Sequence, residues 1–425
     1  MHKKFGSLPW KDLLEDAIFY AEEGFEISPY MADILYKYNE KMSYFPETKK
    51  IFQADFPDFK NRKLFQKDLA STLKKISSNG KDGFYKGEIA KKIANDMKLN
   101  GGLISVYDLE NYNPVWREPL TSSYRNNKII TMGPPSSGGV HIIQMLNVLE
   151  NYNLNSLEHN SSHYINLLTE VMKYAYADRS KYLGDPDFFD VPVKRITSHN
   201  YSKEIYEKIS LGSSKPSIDI HPGMYLDSES NETTHFSVAD IQGNIVSSTY
   251  TLNSTFGSGV VIKGTGILMN NEMDDFSAAP GMPNQFGLLG AKANEIIPRK
   301  RPLSSMTPTI VMKEGELFFT TGSPGGSRII SAVLQSILNI IDFKMNLEEA
   351  TFAKRIHHQW QPDILDVEFS VDAKTKNELE AMGYYVEITE PLTCIQTIMY
   401  KNKKYSGYGD FRRPDALASG KINDR

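Results

Sequence analysis

The sequence predicts a layered α+β fold with antiparallel sheets. Paired alternating segments carry this reading first. Residues 233–240 and 245–251 flank the turn Gln242-Gly-Asn244, 309–312 and 316–320 flank Lys313-Glu-Gly315, and 394–400 is followed by 404–408. Apolar–polar alternation on both sides of a short turn is the pattern of a β-hairpin. Apolar residues at helical spacing fill the stretches between, as at 66–77, 86–97, 163–182 and 328–343. Strands grouped in hairpins, with helices set between them, favour antiparallel sheets over a doubly wound parallel one.

Residues 1–5 read as a loop. It leads into a helix that places Leu13, Leu14, Ala17, Ile18 and Ala21 on a packed face and stops at Gly24. That pattern is not a secretory signal, because the charged start has no apolar run behind it. Leu69, Leu73 and Ile76 share one helix face, and Ile89, Ile93 and Met97 another, which ends at Asn100-Gly-Gly102. Residues 1 to about 115 are therefore expected to be mostly helical. KIITM at 128–132 is a strand candidate, followed by PPSSGG at 134–139 and a helix to about Asn151. Residues 153–162 are polar and loop-like. Residues 211–232, rich in serine with two prolines and two glycines, form the best linker candidate. A helix at 373–383 lies between strand candidates at 364–368 and 385–388.

Composition narrows the function. The 425 residues hold 48 Lys plus Arg and 52 Asp plus Glu, a net charge of −4. This near balance gives no broad basic footprint for nucleic acid. No run of about 18 apolar residues predicts a membrane span. The single cysteine, Cys394, rules out an internal disulfide framework and a Cys-rich metal site, and its apolar strand-like setting predicts an inert thiol.

Four places could carry chemistry. Thr233 follows the linker and opens a strand. One reading is a strand start, where threonine fits β geometry. The sharper reading is an N-terminal nucleophile: Thr233 attacks the Glu232 carbonyl, the acyl group moves from nitrogen to oxygen, and water cuts the ester. The freed threonine then carries its own base, an α-amine with a pKa near ~7.7–8.0. GSPGGS at 322–327 precedes a helix and lacks the phosphate-loop pattern. It is either a tight strand-to-helix turn or an oxyanion site built from the Gly325 and Gly326 amides. Ser304 and Ser305 offer hydroxyls to a carboxylate, and the acids of 272–275 could hold an ammonium. His357-His358 reads as a capped or packed pair, since no further ligand spacing accompanies it.

Together these motifs resemble the γ-glutamyltransferase (γ-glutamyl transpeptidase, glutathione hydrolase) family, bacterial type. TTHFSV at 233–238, YTLNSTFG at 250–257, NNEMDDFS at 270–277, RPLSSM at 301–306, GSPGGS at 322–327 and HHQW at 357–360 occur in family order and spacing. PPSSGGVH at 134–141 and YAYADRSKYLGDP at 174–186 match the family's large subunit. The resemblance covers nearly the whole chain. It implies the N-terminal-nucleophile hydrolase fold, a four-layer αββα sandwich. It also implies self-cleavage between Glu232 and Thr233 into a large-subunit portion, 1–232, and a small subunit, 233–425.

By resemblance, Thr233 is the nucleophile, and Thr251 hydrogen-bonds and orients it. Asn253, Glu272 and Asp275 bind the glutamyl α-amino group, Ser304 and Ser305 the α-carboxylate, and Gly325 and Gly326 form the oxyanion hole. The implied reaction moves the γ-glutamyl group of glutathione or a related donor onto threonine, then to water, an amino acid or a peptide, without cofactor or metal. Two substrates sharing one acyl-enzyme predict ping-pong kinetics.

Family members are periplasmic or secreted. They carry a further segment ahead of Leu8-Pro-Trp10, which supplies sandwich elements and an arginine that clamps the α-carboxylate. Without that segment, apolar faces made to be covered are expected to be bare. The lid at 280–288 has Phe286 where some bacterial members have tyrosine, which predicts a looser gate that Phe286→Tyr would tighten. Two other readings compete: a related acylase for a side chain lacking the ammonium, and an inactive, uncleaved fragment.

Overall fold

A computed structural model describes residues 1–52, 62–220, 233–279, 281–285, 287–368 and 372–420. The chain forms two compact units: Met1–Trp116 with Ser254–Asn271, and Arg117–Asn253 with Glu272–Arg425.

The first unit is helical, as its periodicity predicts. Its long helices are α1 (Asp12–Glu23), α2 (Lys67–Asn79) and α3 (Gly87–Leu99). The expected loop at the start is instead a short helical turn, His2–Phe5. The packed face expected for α1 is only partly buried: Ala21 lies in the core while Leu13 is 52% exposed. Segment 254–271 is stitched onto this unit by side-chain donors from Asn39–Ser43, Pro46–Phe52 and α2. Lys41 Nζ donates to the Gly257 carbonyl at 2.7 Å, Thr48 Oγ1 to Gly259 at 2.7 Å and Thr72 Oγ1 to Thr265 at 2.8 Å. Both ends of this excursion, Asn253 and Glu272, belong to the second unit.

The second unit is built on a six-stranded antiparallel sheet. Its strands are β1 (Leu120–Tyr124), β2 (Asn127–Thr131), β5 (Thr309–Lys313), β6 (Glu316–Thr321), β10 (Thr397–Lys401) and β11 (Lys404–Tyr408), in the order β11-β10-β6-β5-β2-β1. A separate hairpin, β3 (Thr234–Ala239) and β4 (Ile245–Tyr250), pairs in register from Thr234–Tyr250 to Ala239–Ile245. A third, three-stranded sheet holds β7 (Ile356–His357), β8 (Leu365–Glu368) and β9 (Val386–Thr389). There the expectation of antiparallel pairing fails. β8 and β9 run parallel, because α7 (Ala373–Ala381) returns the chain between them.

Three helices supply the core: α4 (Gly138–Leu149), α5 (Ser162–Tyr182) and α6 (Arg328–Ile341). Every residue of α4 and α6 is buried, as expected of helices covered on all sides. Ile129, Val311, Phe319 and Met399 of the sheet join the same core. Glycine is required where α4 begins. A Cβ at Gly139 would sit 2.1 Å from the Met132 carbonyl oxygen, and one at Gly138 would sit 2.2 Å from Thr307 Oγ1. This close approach sets residues 134–139 against 303–307.

The hairpin inverts the usual alternation. In β3 the polar His235 is buried, whereas Phe236 is 43% and Val238 51% exposed; Tyr250 of β4 is 59% exposed. β3 and β4 therefore turn these apolar residues outward. A second correction concerns the linker. Its first part, 211–220, is anchored: Ser217–Asp219 forms a 3-10 turn, Ser217 and Ile220 are buried, and the Trp360 indole N–H donates to both their carbonyls, at 2.8 and 2.9 Å. The Asp363 carboxylate accepts from the Ser217 amide and hydroxyl at 2.8 and 2.7 Å. Buried Lys173 donates to the Lys215 carbonyl at 2.8 Å.

Candidate active site

Thr233 immediately precedes β3 and is 7% exposed. Its carbonyl accepts from Arg413 Nη1 at 3.3 Å. Hairpin pairing brings the far end of β4 back beside it, so Thr251 and Asn253 line the same cavity as Thr233. Thr251 Oγ1 accepts the Asn253 amide N–H at 2.8 Å. That turn places Asn253 at φ 74°, a conformation asparagine tolerates better than most residues.

Asp275 and the serine pair complete two more walls of this cavity. Asp275 ends the 3-10 turn Glu272–Asp275 and lines the cavity. Glu272 is not among the lining residues but hydrogen-bonds to Asp275 side chain to side chain. Burial pushes both carboxyl groups above the usual carboxylate range, and Glu272 raises Asp275 further, against the opposing pull of Arg179. Ser304 and Ser305 lie on the segment held by residues 134–139. The Ser304 amide donates to the Pro135 carbonyl at 2.9 Å, and the Ser304 carbonyl accepts from the Ser137 amide at 2.9 Å.

Gly326 lines the cavity and Gly325 precedes it at the turn into α6. Gly325 has φ 119°, which a side chain would not tolerate, and a Cβ there would meet Thr393 Oγ1 at 2.8 Å. The turn is braced from behind. Ser323 Oγ and Thr393 Oγ1 lie 2.8 Å apart, and Thr393 Oγ1 donates to the Pro324 carbonyl. The amides here sit at the N-terminal end of a 14-residue buried helix, which favours negative charge.

Of the residues singled out from the sequence, Thr233, Thr251, Asn253, Asp275, Ser304, Ser305 and Gly326 line one cavity. Glu232 and Phe286 lie outside the described residues. The lid region is represented in the cavity by Leu288.

The main residue missed is Arg179, from α5. It lines the cavity at 4% exposure, and burial lowers its pKa to about 10, so it stays charged at neutral pH. A signal was available, since Asp178 and Arg179 set two charges within a helix that is buried around them. His235, next to the nucleophile, was also missed. Its Nδ1 lies 2.8 Å from Thr249 Oγ1, and burial lowers its pKa to about 4, so it is neutral. His357 and His358 are a packed pair, as expected. His357 Nδ1 lies 2.8 Å from Ser331 Oγ, and His358 Nε2 lies 3.1 Å from Asp363. Cys394 is 3% exposed, and burial raises its thiol pKa.

The cavity therefore joins a threonine hydroxyl, backbone amides at a helix start, two serine hydroxyls with a buried cation, and the half-buried acid Asp275, with Glu272 behind it. That set suits acyl transfer from a zwitterionic donor. Comparison with known proteins agrees. The family model described as Gamma-glutamyltranspeptidase matches residues 1–420. The glutathione hydrolase proenzyme of Escherichia coli (strain K12) is 47% identical over 420 residues, covering 98% of this chain and 72% of that protein. Among solved structures, cephalosporin acylase from Bacillus halodurans superposes with TM-score 0.84 at 25% identity, covering 97% of this chain and 74% of that one. Helicobacter pylori gamma-glutamyltranspeptidase gives TM-score 0.51 at 43% identity, over 53% and 65%. Among the described residues, no helix is long and apolar enough to cross a membrane.

Proposed function

Because the chain belongs to the gamma-glutamyltranspeptidase family, with the N-terminal-nucleophile hydrolase fold, we propose that it cleaves glutathione and other γ-glutamyl compounds through an acyl-enzyme on Thr233. The observation that carries this reading is the convergence of Thr233, Asn253, Asp275, Ser305 and Gly326 on one cavity.

Self-cleavage at Glu232–Thr233 frees the α-amine of Thr233. That amine takes the hydroxyl proton as Oγ attacks the γ-carbonyl carbon of the donor. The developing oxyanion is held by the Gly325 and Gly326 amides, and the leaving amine takes a proton as the amide bond breaks. Water then releases glutamate from the ester, or an amino acid or peptide amine takes the acyl group. Thr251 sets the nucleophile, Asn253, Asp275 and Glu272 hold the donor ammonium, and Ser304 and Ser305 hold its carboxylate. The working form is a large and small subunit pair, located in the periplasm or outside the cell as in the family.

A second reading, an acylase for an uncharged side chain, draws on the fold shared with the cephalosporin acylase. The half-buried acids Glu272 and Asp275 favour the first, because a site for an uncharged carbon has no use for a carboxylate there. The two readings part in an assay of γ-glutamyl p-nitroanilide against glutaryl p-nitroanilide. Preference for the first by tenfold or more supports the γ-glutamyl reading, and preference for the second overturns it.

A further inference from the structure

Arg179 stands at the junction of three segments. Its Nε donates to Ser137 Oγ at 3.0 Å and its Nη2 donates to Ser305 Oγ at 3.2 Å. Ser137 Oγ in turn donates to the Ser304 carbonyl at 2.9 Å. One guanidinium thus reaches the side chain of one cavity serine directly and the main chain of the other through a single relay.

Hydrogen-bond arithmetic gives this arrangement a direction. A guanidinium has donors only, whereas a serine hydroxyl has one donor and two acceptor sites. The Arg179 contact must therefore occupy a lone pair of Ser305, leaving its O–H free to donate elsewhere. Ser304 Oγ is buried and has no partner among the described residues. A buried hydroxyl without a partner is uncommon in a folded protein. Its backbone is nevertheless held on both sides, by Pro135 and Ser137. Two donors are thus fixed in place with nothing among the described residues to receive them.

The charge balance points the same way. Arg179 is 4% exposed, yet among the described residues no carboxylate lies within ion-pair distance of it. Buried charges without a direct counter-ion are costly, so one at a cavity wall favours an anionic ligand. Asp275, whose charge pulls the Arg179 pKa upward, lines the same cavity. The acid and serine walls share a frame: Asn294 Nδ2 donates to the Asp275 carbonyl at 2.7 Å, and Asn294 Oδ1 accepts from the Leu303 amide at 3.0 Å.

We propose that Arg179 is a positioning residue for donor selection: its fork orients Ser305 and, through Ser137, Ser304, so that both hydroxyl protons face the carboxylate of a zwitterionic donor. This rests on the reading of the two serines as the carboxylate site. Lysine cannot replace the arginine, because a point charge cannot grip two serines at fixed geometry.

The test uses three anilides on the processed protein: γ-glutamyl, with both charged groups; 4-aminobutyryl, lacking the carboxylate; and glutaryl, lacking the ammonium. Arg179→Lys should raise KM for the γ-glutamyl and glutaryl donors by roughly 10–100-fold, the scale of charge-assisted hydrogen bonds. Its kcat should change by no more than about threefold, a split expected when ground-state and transition-state binding are lost alike. The 4-aminobutyryl donor should be unaffected. Ser137→Ala, a mild change that covers any failure of Arg179→Lys to fold, should act in the same sense. Calorimetric titration with L-glutamate against 4-aminobutyrate repeats the comparison without turnover. Equal losses on carboxylate and carboxylate-free donors, or no loss on either, overturn the proposal. Ser305→Ala separates the two levels. If it too leaves the preference for a carboxylate intact, the serine site itself is misread. If it abolishes the preference while Arg179→Lys and Ser137→Ala do not, only the role of Arg179 fails.

Discussion

Glu272 and Asp275 meet carboxyl to carboxyl at the two ends of one 3-10 turn, and the hydrogen bond between them requires a shared proton. Burial raises both above their unfolded values, and the Glu272 charge raises Asp275 further. A bound ammonium would therefore displace that proton.

The pH dependence follows in sign. A carboxyl whose folded pKa is raised binds more protons folded than unfolded, so stability falls as pH rises from the unfolded value through the raised one. The ligand-free melting temperature should decline over that window, and the stabilisation given by L-glutamate should grow across it. KM for a γ-glutamyl donor should fall over the same range. Calorimetry in buffers of different ionisation enthalpy should detect proton release on binding. Uptake, or no proton change near neutral pH, would contradict the shared proton.

Asp275→Asn should remove most of the preference for an ammonium-bearing donor. The ratio of kcat/KM for γ-glutamyl over glutaryl anilide should drop by about 10–100-fold, as for loss of a charge-assisted hydrogen bond. An unchanged ratio would move ammonium binding elsewhere in the cavity.

Thr233→Ala should leave a single band near 48 kDa on denaturing electrophoresis, where the parent chain gives two smaller ones. Thr233→Ser keeps a hydroxyl and should cleave more slowly. Mass spectrometry of the two fragments locates the cut; scission at another bond would remove Thr233 from its proposed role.

Gly325→Ala forces a side chain onto φ 119° and against Thr393 Oγ1. Displacing the amide at this turn should lower kcat by about 10²–10³-fold with a smaller change in KM. Full activity in this variant would exclude the turn as the oxyanion site.

Trp360→Phe deletes an indole N–H shared by the Ser217 and Ile220 carbonyls, of which Ser217 keeps the Ile220 amide as a donor. The lost hydrogen bonding should cost about 1–3 kcal/mol, measured as a lower urea midpoint. Stability equal to the parent would mean that these carbonyls find other donors.

Sequence patterning reached the hairpins and long helices because their apolar periods are regular. KIITM became β2, and the pairing of 309–312 with 316–320 became β5–β6. What it missed depends on distant partners. Leu120–Tyr124 has the composition LTSSY, with little apolar alternation, and is a strand because β2 pairs with it. The parallel pairing of β8 with β9 depends on how α7 packs, which no local pattern encodes. The serine-rich 211–220 stretch read as loose because the groups that pin it, Lys173, Trp360 and Asp363, lie far away in sequence. In the site, hydroxyls and acids were legible as ligand-binding types. Arg179 was not, since a charge inside a buried helix shows its purpose only when its partners are known.

The pinning of residues 213–220 has a consequence for the order of events. A peptide bond broken downstream of that clasp would not set the two pieces adrift. The earlier piece stays fastened by Trp360 and Asp363 of the later one, neither of which takes part in the scission. Maturation can then rearrange a short stretch beside the nucleophile while the framework on either side keeps its place.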